Sequence, residues 1–360
     1  MPDTAYPQGR FFEDFRLGET ILHPTPRTIT DGDTSLYIAL TGARQILHCA
    51  QPVAHALGYS DKTVDDLLTF HIAFGKTVPD ISVNAVANLG YAEIKFMLPV
   101  YVGDTLTTES EVIGLRENAN GKTGIIYVRS TAYNQNHRAV LSWVRWVMVN
   151  KQDPAAPAPK PNVPSLQEFV SADDLLIPAT LDTKAFETAC TGSGKLWDDF
   201  QPGERINHPA GMTVDDSDHT LATKLYQNNA RLHFDALAMQ KTSFGRRLMY
   251  GGHVISVCRA LSYDGLENAL SIAAINAGKH ANPSFGGDTL YCWSEILEKW
   301  RIHGRDDLGA LRLRMVGIKN QTADSLSSTH TDVQGKSQYH PNVVLDLDYT
   351  VLMPRRTQFN

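Results

Sequence analysis

The chain has 360 residues, enough for about two domains and for sizeable buried cores. Hydrophobic residues make up 42% and charged residues 20%, which excludes a disordered or collagen-like polymer. Lys and Arg number 33 against 39 Asp and Glu, so a net charge of −6 provides no global positive field to gather nucleic acid or an anionic membrane.

Residues 1–10, MPDTAYPQGR, are polar and lack the apolar run of a secretory leader. Asp31 and Asp33 are N-cap candidates for a long helical segment over 34–58, where Leu36, Leu40, Leu47, Val53 and Leu57 recur at helical spacing. Segments 84–98, 106–115, 123–133 and 139–150 are rich in Val, Ile, Tyr and Thr and are bounded by Gly-Asp or Asn-Gly, which predicts antiparallel strands. Within the last, VLSWVRWVMV is nearly continuous apolar sequence and predicts a central strand. PAAPAPKPNVP, 154–164, follows as a stiff extended linker, because proline joins neither a ladder nor a helix interior. No run of 18 apolar residues exists to form a membrane helix. Cys49, Cys190, Cys258 and Cys292 stand far apart, without metal-ligand or disulfide-framework spacing, and are expected to be reduced thiols of a cytoplasmic protein.

The chain repeats itself. FEDFRLGETILHP at 12–24 matches WDDFQPGERINHP at 197–209, with an offset of 185 that pairs Phe15 with Phe200, Gly18 with Gly203 and His23 with His208. Thr28 pairs with Thr213 and His48 with His233 at the same offset. At an offset of 184, Gly103-Asp104-Thr105-Leu106 matches Gly287-Asp288-Thr289-Leu290, and Ser110-Glu111 matches Ser294-Glu295. One register shift over some ninety residues indicates two copies of one fold. The domains are placed at 10–150 and 190–360, with 151–189 between them. Each copy reads as α+β, an antiparallel sheet wrapped over a long helix. The copies are expected to pair sheet edge to sheet edge, which hides one edge strand in each.

A histidine recurs after the helical segment in each copy, in YIALTGARQILH (37–48) and KLYQNNARLHFD (224–235). These segments resemble the signature of the MaoC-like, R-specific enoyl-CoA hydratase family, whose fold makes the duplicated chain a double hotdog. In that family an Asp and a His hold a water and add it across an enoyl thioester, with the carboxylate taking the water's proton and the imidazole orienting it and returning a proton to carbon. The first copy keeps Gly42 and His48 but has Ala43 at the Asp position; the second keeps His233 and the trailing Asp235 but has Asn228 there. Asn228 cannot accept a proton near neutral pH, so His233 is the candidate base. The longer strings FHIAFGKTVPDISVNAVANLGYAEIKF (70–96), NGKTGIIYVRSTAYNQ (120–135), FGRRLMYGGHVISVCRALS (244–262) and IAAINAGKHANPSFGGDTL (272–290) are similar to the mesaconyl-CoA (2-methylfumaryl-CoA) hydratase subgroup.

That resemblance implies reversible hydration of mesaconyl-CoA to β-methylmalyl-CoA in one site carried by the second copy. Its implied catalytic set is His233, Asn228 and Asp235, the last as an orienting residue. Gly251 and Gly252 occupy the place where the family aims backbone N–H groups at the thioester oxygen. Arg44 and Arg231, beside the two histidines, are candidates to hold the substrate's free carboxylate, and His48 is a candidate substrate contact. No metal and no cofactor are expected, coenzyme A being part of the substrate. The expected partner is that acyl-CoA, without nucleic acid or membrane, in a homo-oligomer. An acyl-CoA thioesterase or a non-catalytic acyl-CoA binder on the same fold is the alternative.

Overall fold

A computed structural model of the chain describes residues 9–331 and 336–356. In chain order the elements are β1 (Thr20–Thr28), α1 (Asp31–Thr41), α2 (Ile46–Cys49), α3 (Gln51–Ala56), α4 (Asp66–Ile81), β2 (Ala85–Phe96), β3 (Thr105–Glu117), β4 (Thr123–Tyr133) and β5 (Ala139–Asn150). The second half follows with β6 (Arg205–Thr213), α5 (Asp216–Leu225), α6 (Ala236–Met239), α7 (Gly251–Leu261), β7 (Ser271–Lys279), β8 (Thr289–Arg301), β9 (Leu308–Lys319), the short pair β10 (Thr329–Thr331) and β11 (Ser337–Tyr339), and β12 (Val343–Pro354). Ten strands form one sheet in the order β1-β3-β4-β5-β2-β7-β12-β9-β8-β6. The order is palindromic in the repeat. The seam between halves is the antiparallel pair β2–β7, with Tyr91 opposite Gly278 and Ile94 opposite Ile275. Edge-to-edge pairing is thus observed, and β5 is an interior strand as its composition predicts. The architecture is two copies of an antiparallel sheet over a helix, joined through one continuous ten-stranded sheet.

The residues shared by both repeats are fasteners. His23 Nε2 meets Ser110 Oγ at 2.8 Å, and His208 Nε2 meets Ser294 Oγ at 2.9 Å, so each pins the edge strand to its neighbour from inside the sheet. Thr28 with Thr105 and Thr213 with Thr289 make matching hydroxyl contacts of 2.7 Å. Each Gly-Asp pair closes a turn: Gly103 and Gly287 adopt φ of 95° and 90°, and the aspartate accepts the backbone N–H of Tyr101 or Phe285.

The helical expectation needs correction. The segment 34–58 is not one helix but three pieces, α1, α2 and α3, and Thr30 rather than Asp31 or Asp33 caps it. Thr30 accepts the Asp33 N–H while Asp33 accepts that of Thr30, a capping box in which Asp33 is the reciprocal member. The long helix under the first half is α4, started by Asp65, whose carboxylate accepts the Leu67 N–H at 2.8 Å. Of its 16 residues 13 are buried, the polar Thr69, His71, Lys76 and Thr77 among them, so the helix is enclosed on nearly every side. Its counterpart α7 is buried in the same way. The two touch where His71 Nε2 meets Ser256 Oγ at 2.9 Å, positions equivalent by the 185-residue offset, so the pseudo-twofold axis passes between them. Residues 151–189 contain no α-helix or β-strand of the sheet, yet they lie against the body: Asn162 pairs with Leu115, and Val170, Leu175 and Leu181 are buried.

At one point α4 approaches the second half closely. A Cβ on Gly75 would lie 2.0 Å from the carbonyl oxygen of Tyr226, at the end of α5. Gly75→Ala is therefore expected to destabilise the protein by about 1–3 kcal/mol and to displace the residues after Tyr226. Thermal unfolding beside activity per folded molecule checks this, and both should fall.

Candidate active site

In the second half, α5 ends where Gln227 turns into the left-handed region at φ 53°, the position that Gly42 fills in the first half at φ 70°. The turn brings the Asn228 N–H onto the Thr223 carbonyl at 3.1 Å, and leaves the side chain 4% exposed with Oδ1 accepting the Ala230 N–H. That commits the Asn228 oxygen to the backbone and leaves its NH₂ as the group available to a ligand. A 3₁₀ turn, Arg231–His233, then delivers His233, which is buried. Its Nδ1 donates to the Leu248 carbonyl at 3.0 Å, and its ring packs edge-on against Tyr250, 5.3 Å between centroids. Burial pushes its pKa down to about 4 despite that carbonyl. The imidazole is thus neutral at pH 7, with its proton on Nδ1 and a lone pair on Nε2.

Leu248 and Tyr250 lead straight into α7. The N–H groups of its first residues, Gly251 and Gly252, have no protein acceptor among the described residues. They carry the partial positive charge of a helix N-terminus. Glycine is required at both. A Cβ on Gly251 would lie 2.5 Å from the His280 ring, and one on Gly252 would lie 2.4 Å from the Tyr250 ring.

The first-half counterpart is built differently. His48 Nδ1 contacts Thr63 Oγ1 at 2.8 Å, but the helix that follows begins with Asp65 and Asp66 where the second half has Tyr250 and Gly251. Asp66 Oδ2 lies 3.6 Å from His48 Nε2, too long for a hydrogen bond, and accepts the Ile272 N–H at 2.7 Å. Burial opposes the charged imidazole, yet the Asp66 and Asp65 carboxylates override it and raise the His48 pKa. The cleft here holds about 40 Å³, lined by Leu47, Tyr59, Thr63, Asp66, Leu98 and Ile272, room for a few waters only. Carboxylates at this helix start would repel a developing enolate, where glycine amides attract it.

The structure therefore ties His233 to the start of α7 through Leu248 and Tyr250, leaves Asn228 buried earlier in the same loop, and places His48 at a different helix. Asp235 does not join the catalytic group: its carboxylate accepts the Ala238 N–H at 2.9 Å and caps α6. Arg44 is also elsewhere. It pairs with Asp264 at 2.8 Å and covers the Tyr263 ring, beyond the far end of α7, a helix about 16 Å long. Arg231 is exposed beside His233. Sequence reasoning overlooked Tyr250, which seats His233, and His280, which covers Gly251 and meets Tyr91 OH at 3.3 Å. It left His71 and His253 without a role; both are buried between the halves, His71 on Ser256 and His253 near Tyr226 OH at 3.3 Å. Among the described residues no three His, Cys, Asp or Glu side chains are grouped to hold a metal ion, and no helix is long and apolar enough to cross a membrane.

Comparison with known proteins gives the family. The family model described as mesaconyl-CoA hydratase matches residues 3–335. The chain is 55% identical to a β-methylmalyl-CoA dehydratase of Chloroflexus aurantiacus over 97% of this chain and 98% of the relative. It is 52% identical to a mesaconyl-CoA hydratase of Cereibacter sphaeroides over 96% of this chain and 98% of the relative. A solved MaoC-domain dehydratase from Chloroflexus aurantiacus superposes with a TM-score of 0.93 at 55% identity, covering 97% of this chain and 98% of that one. A Mycobacterium tuberculosis protein with a double hotdog fold superposes at 0.74 with 23% identity, covering 98% and 100%, and supports the fold alone. With a family model spanning most of its length and two relatives above half identity, this chain belongs to the mesaconyl-CoA hydratase family of MaoC-like double-hotdog enzymes.

Proposed function

We propose that this protein reversibly adds water across the double bond of mesaconyl-CoA to give β-methylmalyl-CoA, and that the second repeat carries the chemistry. The two relatives are named for the two directions of that reaction. The observation that carries the site assignment is the pairing of a neutral, carbonyl-anchored His233 with the unpartnered amides of Gly251 and Gly252.

In this reading the thioester oxygen accepts from the Gly251 and Gly252 N–H groups, which stabilise the enolate as it forms. Asn228 donates its NH₂ to the water. His233 Nε2 takes a proton from that water as the hydroxyl bonds to the β-carbon, and the resulting imidazolium returns the proton to the α-carbon. One imidazole acts first as base and then as acid, so the missing carboxylate at position 228 is not needed for proton balance. The reaction calls on no cofactor beyond the coenzyme A of the substrate. We place the protein in the cytoplasm as a homo-oligomer, on two supports: its four cysteines are free, and the main sheet ends on unpaired strands β1 and β6.

The direct test follows the absorbance of the conjugated thioester in the presence of a thiol reagent. Loss of conjugation without thiol release is expected. Thiol release would mark a thioesterase, and an unchanged spectrum with ligand bound would mark a binder.

His233→Ala should lower kcat by on the order of 10²-fold or more, as for a lost acid–base group. His48→Asn should leave turnover per folded molecule within about threefold, a bound set by the absence of any acid–base loss there. Near-full activity in His233→Ala would overturn the assignment.

Acid sensitivity has a defined sign. His208, His233, His253 and His280 each have a pKa pushed to about 4, burial being the largest cause. Between about pH 6.5 and 4 the unfolded chain binds protons at these sites and the folded one does not. Their contribution is complete above pH 6.5 and declines as pH falls toward 4. His48, with its raised pKa, works the other way: its contribution is complete below pH 6.5 and is lost as pH rises. Burial lowers His23, His71 and His219 as well, so with seven histidines against one the melting temperature should drop as pH is lowered from 7 to 5, and calorimetry should register proton uptake on unfolding. A flat profile would contradict it.

A further inference from the structure

Arg145 stands in the middle of interior strand β5 and is 1% exposed. Its guanidinium lies over the Phe74 ring at 4.3 Å, and one Nη donates to Thr77 Oγ1 at 2.7 Å. Its Nε has no acceptor, and it forms no ion pair with a carboxylate among the described residues. Other buried arginines are satisfied differently: Arg10 pairs with Glu19, Arg312 with Asp348 and Glu298, and Arg259 donates to the Ala269 carbonyl and the Ser262 hydroxyl. An unpaired cation in a core is costly. Burial lowers the Arg145 pKa only to about 10, so the charge persists at neutral pH.

The sheet connects this charge to the second-repeat site. Arg145 on β5 is opposite Tyr91 on β2, and Tyr91 is opposite Gly278 on β7. These three form one row on one face, and with strands about 4.8 Å apart the row spans roughly 10 Å. The Tyr91 ring crosses over Gly278, and its hydroxyl meets His280, whose ring lies against Gly251. Phe74, on which Arg145 stacks, is 6.1 Å from Tyr250 between centroids. Between the guanidinium and the glycine amides, the buried Tyr250 hydroxyl and His280 Nδ1 also lack protein partners. A cation and two neutral groups able to donate thus converge from both halves with no protein anion to receive them.

We propose that Arg145 binds the free carboxylate of a dicarboxylic acyl-CoA whose thioester sits at Gly251 and Gly252, and so determines the enzyme's preference for diacid over monoacid thioesters. This rests on the placement of the thioester argued above. The guanidinium presents Nε–H and an Nη–H in parallel, the fork that grips a carboxylate through two hydrogen bonds. Arg44 and Arg231, both exposed, would gain little selectivity in water. The first half thereby supplies recognition while the second supplies chemistry, which makes the linked halves one functional unit.

Succinyl-CoA and butyryl-CoA test this, since both are saturated and only the first bears a free carboxylate. Their affinities are measured by calorimetry on the full-length wild type, Arg145→Met and Arg145→Lys. Wild type should prefer succinyl-CoA. Arg145→Met should weaken succinyl-CoA about 10²-fold, the usual scale for removing one partner of a buried charge pair, and leave butyryl-CoA within about threefold, the range expected of a contact not made. Arg145→Lys, which keeps the charge without the fork, should fall between and carries the test if the Met variant does not fold. Equal weakening of both ligands, or an unchanged preference, overturns the proposal. Neither ligand is hydrated, so a wild type that binds both yet fails to hydrate mesaconyl-CoA would refute the proposed reaction while leaving this comparison readable.

Discussion

Two helices with almost no solvent-facing surface, α4 and α7, meet at His71 and Ser256 inside a single ten-stranded sheet. That contact is the constraint from which the rest of the molecule follows. Because equivalent positions touch, the start of each helix is carried to its own side of the axis, where it faces the loop and histidine of its own repeat. Because the sheet is continuous through β2 and β7, side chains of one repeat reach across to the other's helix start. Tyr91 against His280 and Phe74 against Tyr250 are contacts of this kind. A helix N-terminus then offers amides and partial positive charge in a water-poor setting, and the local sequence decides whether that offer is kept or cancelled.

The repeats make opposite choices. Asp65 and Asp66 cancel it in the first: one carboxylate caps its own helix, the other takes a backbone N–H of β7, and their combined charge raises the nearby imidazole. Glycines preserve it in the second, where rings of Tyr250 and His280 fill the volume a side chain would need. Equivalent positions thus hold carboxylates bonded to backbone N–H groups on one side of the axis and, on the other, glycine amides without a protein acceptor among the described residues. His233 is held neutral by burial, a state suited to a base, whereas His48 is pushed toward its charged form.

Much of the fold was legible. Strand limits follow alternation and turn residues, which are local signals, and the pairings His23 with Ser110 and His208 with Ser294 explain why those letters recur in both repeats. Helix α4 was not legible, since its polar members Thr69, His71, Lys76 and Thr77 are buried along with its apolar ones, and no exposed face separates it from the strands around it. Helices α1 to α3 misled for the complementary reason, their apolar residues keeping helical phase across two breaks. Of the site, His233 and the Gly-Gly step carried motif information. Asp235 resembled a motif member because capping residues and acid–base residues use the same side chain, and only its bond to Ala238 separates the roles. Arg145 was visible all along as the one charge in VLSWVRWVMV, but the apolar run around it read as a strand and drew attention from the exception.

The central claim is that the second repeat binds the thioester at the start of α7. A crystal structure of the His233→Ala variant with mesaconyl-CoA bound measures this directly. The account predicts the thioester oxygen within hydrogen-bonding distance, about 3 Å, of the Gly251 and Gly252 nitrogens, with the acyl chain directed between the halves. A thioester seated in the first-repeat cleft beside His48 and Asp66, or one whose oxygen faces away from α7, would contradict it.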